Sequence, residues 1–260
     1  MCFAKNLSNE KIGVLYFNKT NINTIDEKSI VSYQNSFYNF VFLNFTSLDF
    51  DLFISILCLL KERGKVYVDI DYKFFLNLMN KNKNYKSKNY SKKEFFLEFK
   101  DFVDKAMSVY FSNKSLNDDD LIYYSIFSKV ELNKKQGNIA FLLNDEFFKI
   151  INNVRDGFYT SFLLKDFLKL KSKYSKMLFI LLCQFLYKGS FYIDLKHIYS
   201  YFSLDVKDYC NRIANFDNYT LIPAITELQT MPKFKNLSCK KIKKDENNPK
   251  SKVIALYFTF

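Results

Sequence analysis

Apolar positions along this chain fall into two blocks that can be laid on each other. The run Leu52–Phe75, LFISILCLLKERGKVYVDIDYKFF, aligns without gaps on Met177–Ser200, MLFILLCQFLYKGSFYIDLKHIYS. Leu57, Cys58, Gly64, Tyr67 and Asp69 fall on Leu182, Cys183, Gly189, Tyr192 and Asp194. Each block reads as a buried helix, a glycine stop, a short alternating strand and a second helix. The copies lie more than a hundred residues apart, which suits two folded modules and not a short-period solenoid.

In the first half, Ile12–Phe17 is expected as a strand, and the aromatic stretch Ser32–Phe45 is expected to pack on the domain that follows. Ser47 is expected to cap a helix carrying Phe50, Phe53, Ile54, Leu57 and Leu60 at helical spacing. Gly64 ends it, Val66–Ile70 is a short strand and Asp71–Met79 a short helix. Asn80–Lys93 lacks apolar periodicity and reads as a solvated loop. Ser91 with Glu94 fits a capping box for a third helix, with Phe95, Phe99, Phe102 and Ala106 along one side. Leu121–Glu131 alternates as one strand, a turn with Asn133 and Gly137 follows, and Ile139–Leu143 is its partner. Asn144–Asn153 is expected as a connecting helix.

The second half repeats the plan. Tyr174, Leu178, Leu181, Leu182 and Phe185 form the apolar face of its first helix, Gly189 stops it, and Phe191–Ile193 is the short strand. Asp194 begins a helix with Leu195, Ile198, Tyr199 and Phe202 on one face. After a turn region, Ser203–Asn215, a third helix spans Asp217–Gln229 with Leu221, Ile225 and Leu228 inward. Asp217 is its expected N-cap, and Pro223 should kink it because proline removes a backbone donor. Phe234–Ile242 and Lys252–Phe260 are two strands around the polar tip KKDENNPKS. Three helices followed by a hairpin, twice, predict an α+β fold of two tandem winged-helix domains, each with a helical core and a β-hairpin wing. The expected division is an extension over 1–44, a first winged helix over 45–153 and a second over 154–260.

Charge placement adds a partner class. Residues 160–260 hold 17 Lys and Arg against 8 Asp and Glu, so they carry nine of the chain's twelve excess positive charges. The abundance of Lys, Asn, Phe and Tyr also fits AT-rich codons, but codon bias does not place the excess in one part of the chain. A lopsided positive field favours a polyanion, either nucleic acid or an acidic membrane. The longest apolar stretches are roughly half the ~20 residues needed to span a bilayer, which disfavours the membrane. No signal peptide is apparent, and five cysteines without a CxxC pair argue against a disulfide framework or zinc site. Cys58 and Cys183 are expected in the core, and the chain reads as reduced and cytoplasmic.

Catalytic constellations are scarce. A nicking enzyme would need a metal-binding histidine pair beside a nucleophilic tyrosine, and the only histidine is His197, read as structural. No G-x-x-x-x-G-K-[ST] phosphate loop is present, so no nucleotide cofactor is expected. Asp118, Asp119 and Asp120 could hold a metal but fit a solvated loop or helix cap better. A binding protein is favoured over an enzyme.

The binding candidates lie in the second half. Lys169, Lys171, Lys173 and Lys176 surround Tyr174 where a helix begins, so their side chains and free backbone N–H groups could grip phosphate. The alternative is a solvated helix end. The third helix holds the recognition position of a helix-turn-helix, and its first exposed residues would be Asn218, Tyr219 and Thr220. Asn suits adenine, and Thr and Tyr suit a thymine methyl. Lys240, Lys241, Lys243 and Lys244 line the second wing, with Lys250 and Lys252 returning, for phosphate contact or simple solubility.

Three stretches carry a family resemblance: LKLKSKYSKMLFILLCQF (Leu168–Phe185), NFDNYTLIPAITELQT (Asn215–Thr230) and the closing KVIALYFTF, with a fainter echo in FTSLDFDLFISILCLL. In order and spacing they resemble the initiator proteins of theta-replicating, iteron-bearing plasmids over roughly residues 35–260. The resemblance implies binding of double-stranded DNA at repeated origin sites, opening of adjacent AT-rich DNA and recruitment of host replication proteins. It also implies a second module that reads sequence and a first that supports a homodimer and adds DNA contacts. One departure stands out: related recognition helices often carry Arg or Lys, whereas Phe216–Met231 has neither and includes Asp217 and Glu227. A winged-helix regulator without initiator activity, and a scaffold whose wings bind protein, remain open on sequence alone.

Overall fold

The computed structural model describes residues 28–61, 68–81, 89–114, 121–152, 158–204, 213–248 and 250–260. The strand expected at Ile12–Phe17, the stop at Gly64 and the carboxylates Asp118, Asp119 and Asp120 lie outside them. Strand β1 (Ile30–Gln34) leads through a 3-10 turn to the two-residue β2 (Phe40–Val41), and α1 (Ser47–Leu60) follows. Thr46, one residue before the expected Ser47, caps α1. Its hydroxyl accepts the Asp49 N–H at 3.2 Å while the Asp49 carboxylate accepts the Thr46 N–H at 2.7 Å. Helix α1 is buried on almost every side, which its nearly unbroken apolar sequence demands. The rings of Phe37, Phe42 and Phe45 cover one flank, each within 6.3 Å of the Phe53 ring.

The first module continues with β3 (Val68–Asp71), α2 (Tyr72–Lys81) and α3 (Lys92–Met107). The Ser91–Glu94 capping box opens α3 as expected, with Glu94 accepting the Ser91 N–H at 2.9 Å. Strands β4 (Tyr110–Lys114), β5 (Leu121–Ser125), β6 (Phe127–Asn133) and β7 (Asn138–Leu143) come next. The single strand expected over Leu121–Glu131 is therefore two. Ile126, fully buried, breaks it, and the chain passes from the β2-β4-β5 sheet to the β3-β7-β6 sheet. At the hairpin turn Gly137 has φ +80°, and a Cβ there would meet the Tyr72 ring at 3.0 Å, so no other residue fits without displacement.

Helix α4 (Asp145–Asn152) precedes β8 (Tyr159–Leu163) and the short α5 (Leu164–Leu168), two elements the sequence pattern does not announce. The second module is α6 (Lys173–Cys183), β9 (Ser190–Asp194), α7 (Leu195–Tyr201), α8 (residues 213–228), β10 (Ser238–Lys243) and β11 (Val253–Thr259). Helix α6 ends at Cys183, short of the glycine expected to stop it; Gly189, with φ +65°, closes the turns that follow, its N–H donating to the Phe185 carbonyl at 3.1 Å. The sheets of the two modules share one strand order. Strand β3 lies against β7 and then β6, and β9 lies against β11 and then β10. The inward pairs match as well: Val68 with Phe141 and Ile70 with Ile139, Ile193 with Leu256 and Phe191 with Phe258. These are two winged helices, and the repeat in sequence is a repeat in topology.

The modules share one core. Strands β1 and β8 pair antiparallel over five residues, which joins the first described segment to the start of the second half. Phe162 of β8 sits between Tyr33, at 6.0 Å, and Phe179 of α6, at 4.9 Å, so its ring spans the junction. Helix α1 packs on α5 and α6, and there Asp51 forms an ion pair with Lys176. Cys183 is buried as expected, but Cys58 is only half-buried, its thiol directed to the Ile30 carbonyl at 3.8 Å.

Candidate nucleic-acid interface

Helix α8 is the exposed helix of the second module, and its path differs from the sequence reading. It is already helical at Ile213–Phe216, passes through a π-helical turn, Asp217–Leu221, and resumes as Ile222–Leu228. Pro223 accounts for the wide turn. It offers no N–H, and its ring would crowd the carbonyl one turn earlier, so the chain opens by one residue and the Ile222 N–H donates to the Asp217 carbonyl. The result is a π-bulge where a plain kink was expected. Asp217 consequently is not an N-cap, because the helix starts at least one turn before it. Its largely buried carboxylate pairs with Lys241 of β10.

The bulge decides which side chains face outward. Asn218 is exposed and Tyr219 is 73% exposed, as a reading role requires. Thr220 is 1% exposed and faces the core, so it cannot touch a base. Ile222, 53% exposed, joins Asn218 and Tyr219 on the outer face with Pro223 and Thr226. The sequence reading missed Ile222. The available signal was an isoleucine lying off the inward Leu221, Ile225, Leu228 stripe.

Two contacts fasten α8 to basic segments on either side. Near its far end, the Glu227 carboxylate accepts the backbone N–H groups of Lys171 at 2.6 Å and Ser172 at 3.2 Å. The Tyr174 N–H donates to Ser172 Oγ at 3.2 Å. The start of α6 is thereby capped from within the protein, and these N–H groups do not await a phosphate. Lys171 itself is exposed. Lys173 is half-buried with Nζ 4.9 Å from the Tyr174 ring centroid, and burial lowers its pKa from the usual lysine value. Tyr174 is half-buried and tilts against Phe202 at 5.6 Å, a packing position.

Lys176 leaves the set altogether. Its side chain is 0% exposed, its ammonium pairs with Asp51 of α1, and it lies 4.8 Å from the Phe167 ring centroid. Helical spacing could not separate it from its solvated neighbours, because its partner is 125 positions away.

On the second wing the lysines divide. Lys241 is committed to Asp217, and Lys240 Nζ is 3.7 Å from the Glu246 carboxylate. The Lys243 backbone N–H donates to the same carboxylate at 3.2 Å while its side chain is half-buried. Lys244, Lys250 and Lys252 are exposed around a tip held by Asp245, which accepts the Asn247 N–H at 3.0 Å. The first wing ends similarly in exposed Lys134 and Lys135, which the sequence reading passed over. His197 is exposed on α7, 3.4 Å from Asp194. Among the described residues no group of three His, Cys, Asp or Glu side chains gathers to hold a metal ion. Among them, too, no helix is long and apolar enough to cross a membrane.

Comparisons with known proteins agree with this architecture. Residues 30–183 match the family model described as Initiator Replication protein, WH1, and residues 200–260 match Initiator Rep protein, WH2. Among solved structures, the Pi initiator protein, in its crystal structure with iteron DNA, superposes with a TM-score of 0.63 at 16% identity. That superposition covers 90% of this chain and 97% of the Pi chain. No curated protein sequence matches the chain.

Proposed function

Because this chain belongs to the initiator replication protein family, with the WH1 and WH2 modules in order, we propose that it initiates replication by gripping repeated double-stranded DNA sites at an origin. The second module lays α8 in a major groove, and Asn218 and Tyr219 meet base edges there. Lys171 and Lys173 on one side and Lys243 and Lys244 on the other meet phosphates. The first wing, through Lys134 and Lys135, adds backbone contacts on a neighbouring stretch of duplex. One observation carries the reading: an exposed, uncharged helix face is fastened at both ends to lysine-bearing segments. The fold shared with the Pi initiator, solved on iteron DNA, supports it.

The protein acts by binding, without chemistry of its own. Opening of AT-rich DNA, recruitment of host replication proteins, a homodimer formed through the first module and a cytoplasmic location complete the proposal. Anisotropy titrations of duplexes from a candidate origin against rising salt test it. Log affinity should fall with log salt by about 0.9 for each phosphate neutralised. Binding that ignores salt, or that treats origin and unrelated duplexes alike, overturns the reading. Replication of an origin plasmid with the gene supplied in trans separates an initiator from a regulator, since only an initiator sustains the plasmid.

A further inference from the structure

The outer face of α8 has an unusual composition for a surface that meets a polyanion. Asn218, Tyr219, Ile222, Pro223 and Thr226 are all exposed, and none is charged. The helix does contain two carboxylates, but neither faces outward freely. Asp217 is largely buried against Lys241, and Glu227 is turned back onto the start of α6. One ion pair and one pair of backbone hydrogen bonds thus turn the carboxylates away from the face without placing positive charge on it. At its centre an isoleucine and a tyrosine stand exposed to solvent, an apolar pair of the kind that marks a contact surface.

These residue types select among bases. Guanine is read in the major groove chiefly by Arg or Lys, which donate to its O6 and N7, and the face offers neither. Thymine alone of the four bases presents a methyl group there, which calls for an apolar contact. Asn is the side chain that pairs with both N6 and N7 of adenine. We infer that α8 reads a core of consecutive A·T pairs, packing thymine methyls against Ile222 and Tyr219 and engaging adenine through Asn218. The inference rests on the duplex-binding reading above and adds the base composition of the bound site, as distinct from any stretch that is later opened. Pro223 is part of the device. The wide turn it imposes seats Ile222 on the outer face beside Tyr219, while Thr220 faces the core.

The test begins by selecting duplexes from a randomised library with the full-length protein at fixed salt. A selected duplex is then remade with deoxyuridine for thymidine at each core position, which deletes one methyl and leaves every hydrogen-bonding group in place. The selected core should be consecutive A·T pairs. Each critical deoxyuridine should weaken binding roughly fourfold, the worth of one buried methyl. Ile222→Ala, at an exposed position where folding is not at stake, should bind the thymidine duplex more weakly and lose most of its sensitivity to deoxyuridine. A G·C core, or equal affinity for thymidine and deoxyuridine duplexes, overturns this inference and leaves the face to another partner. Recovery of no preferred duplex instead overturns the DNA-binding reading itself, and this inference falls with it.

Discussion

Removing either member of the ion pair between α1 and α6 should cost more than any surface charge in the protein. Lys176 and Asp51 have side chains 0% and 2% exposed, and the Lys176 ammonium also points at the Phe167 carbonyl, 3.4 Å away. Taking one ion from such a site leaves the other charge buried, at a cost of about 3–5 kcal/mol. Typical domains have only about 5–15 kcal/mol in total, so Lys176→Met or Asp51→Asn should remove a large share. The double variant Asp51→Leu with Lys176→Met replaces both charges by apolar groups of similar size and should recover to within about 2 kcal/mol of the natural pair. Urea melts followed by far-ultraviolet circular dichroism give each value. Burial lowers the Lys176 pKa, with Asp51 opposing the shift. In Asp51→Asn that opposition is gone, so between the folded value and the unfolded value of about 10.4 the unfolded chain binds the proton more tightly. Stability of that variant should therefore rise with pH, and its deficit should be smaller near pH 9.5 than near pH 7, about one unit below the free lysine value against more than three. Single losses under about 1 kcal/mol, as for an exposed pair, or a double variant that loses the sum of the singles, would refute the reasoning.

Other expectations follow from contacts at the interface and in the core. Glu227→Ala strips two backbone donors of their acceptor and should lower stability by about 1–2 kcal/mol, read as a drop in melting temperature. Lys244→Ala should make the salt slope of DNA binding less negative by about 0.9. Lys241→Ala should leave that slope unchanged yet destabilise the fold by about 1–2 kcal/mol, because Asp217 stays largely buried; the same titrations and melts check both. Burial raises the phenols of Tyr33 and Tyr201 well above the ordinary tyrosine range, and Tyr201 donates to the Met177 carbonyl at 2.9 Å. Their contribution is complete below the unfolded value of about 10 and is lost as pH rises past it. Tyrosinate absorbance from these two should appear together with loss of helical signal, and not before it.

The parts of the fold legible in the sequence were those fixed by local periodicity and capping. The Ser91–Glu94 box and the turns of both hairpins depend on residues within a few positions of each other, and these stand where expected. What escaped depends on distant partners. The five residues of β8 carry no strong alternation of their own and become a strand because β1 supplies hydrogen bonds from more than a hundred residues away. Lys176 looked like its neighbours until Asp51 appeared beside it. On α8 the error was local: placing the helix start at Asp217, one turn late, put Thr220 outward and hid Ile222. One residue of slip rotates a helix by about 100°, enough to exchange a buried position for an exposed one.

The strand order of the two sheets also dictates when each unit can form. In both, the strand made last lies in the middle, β7 between β3 and β6 and β11 between β9 and β10. A nascent chain emerging from the ribosome therefore holds two outer strands with nothing to join them until the final segment of that unit arrives. Assembly of each module is withheld to the end of its own translation, and a frameshift or nick just ahead of β7 or β11 takes away the keystone and not an edge.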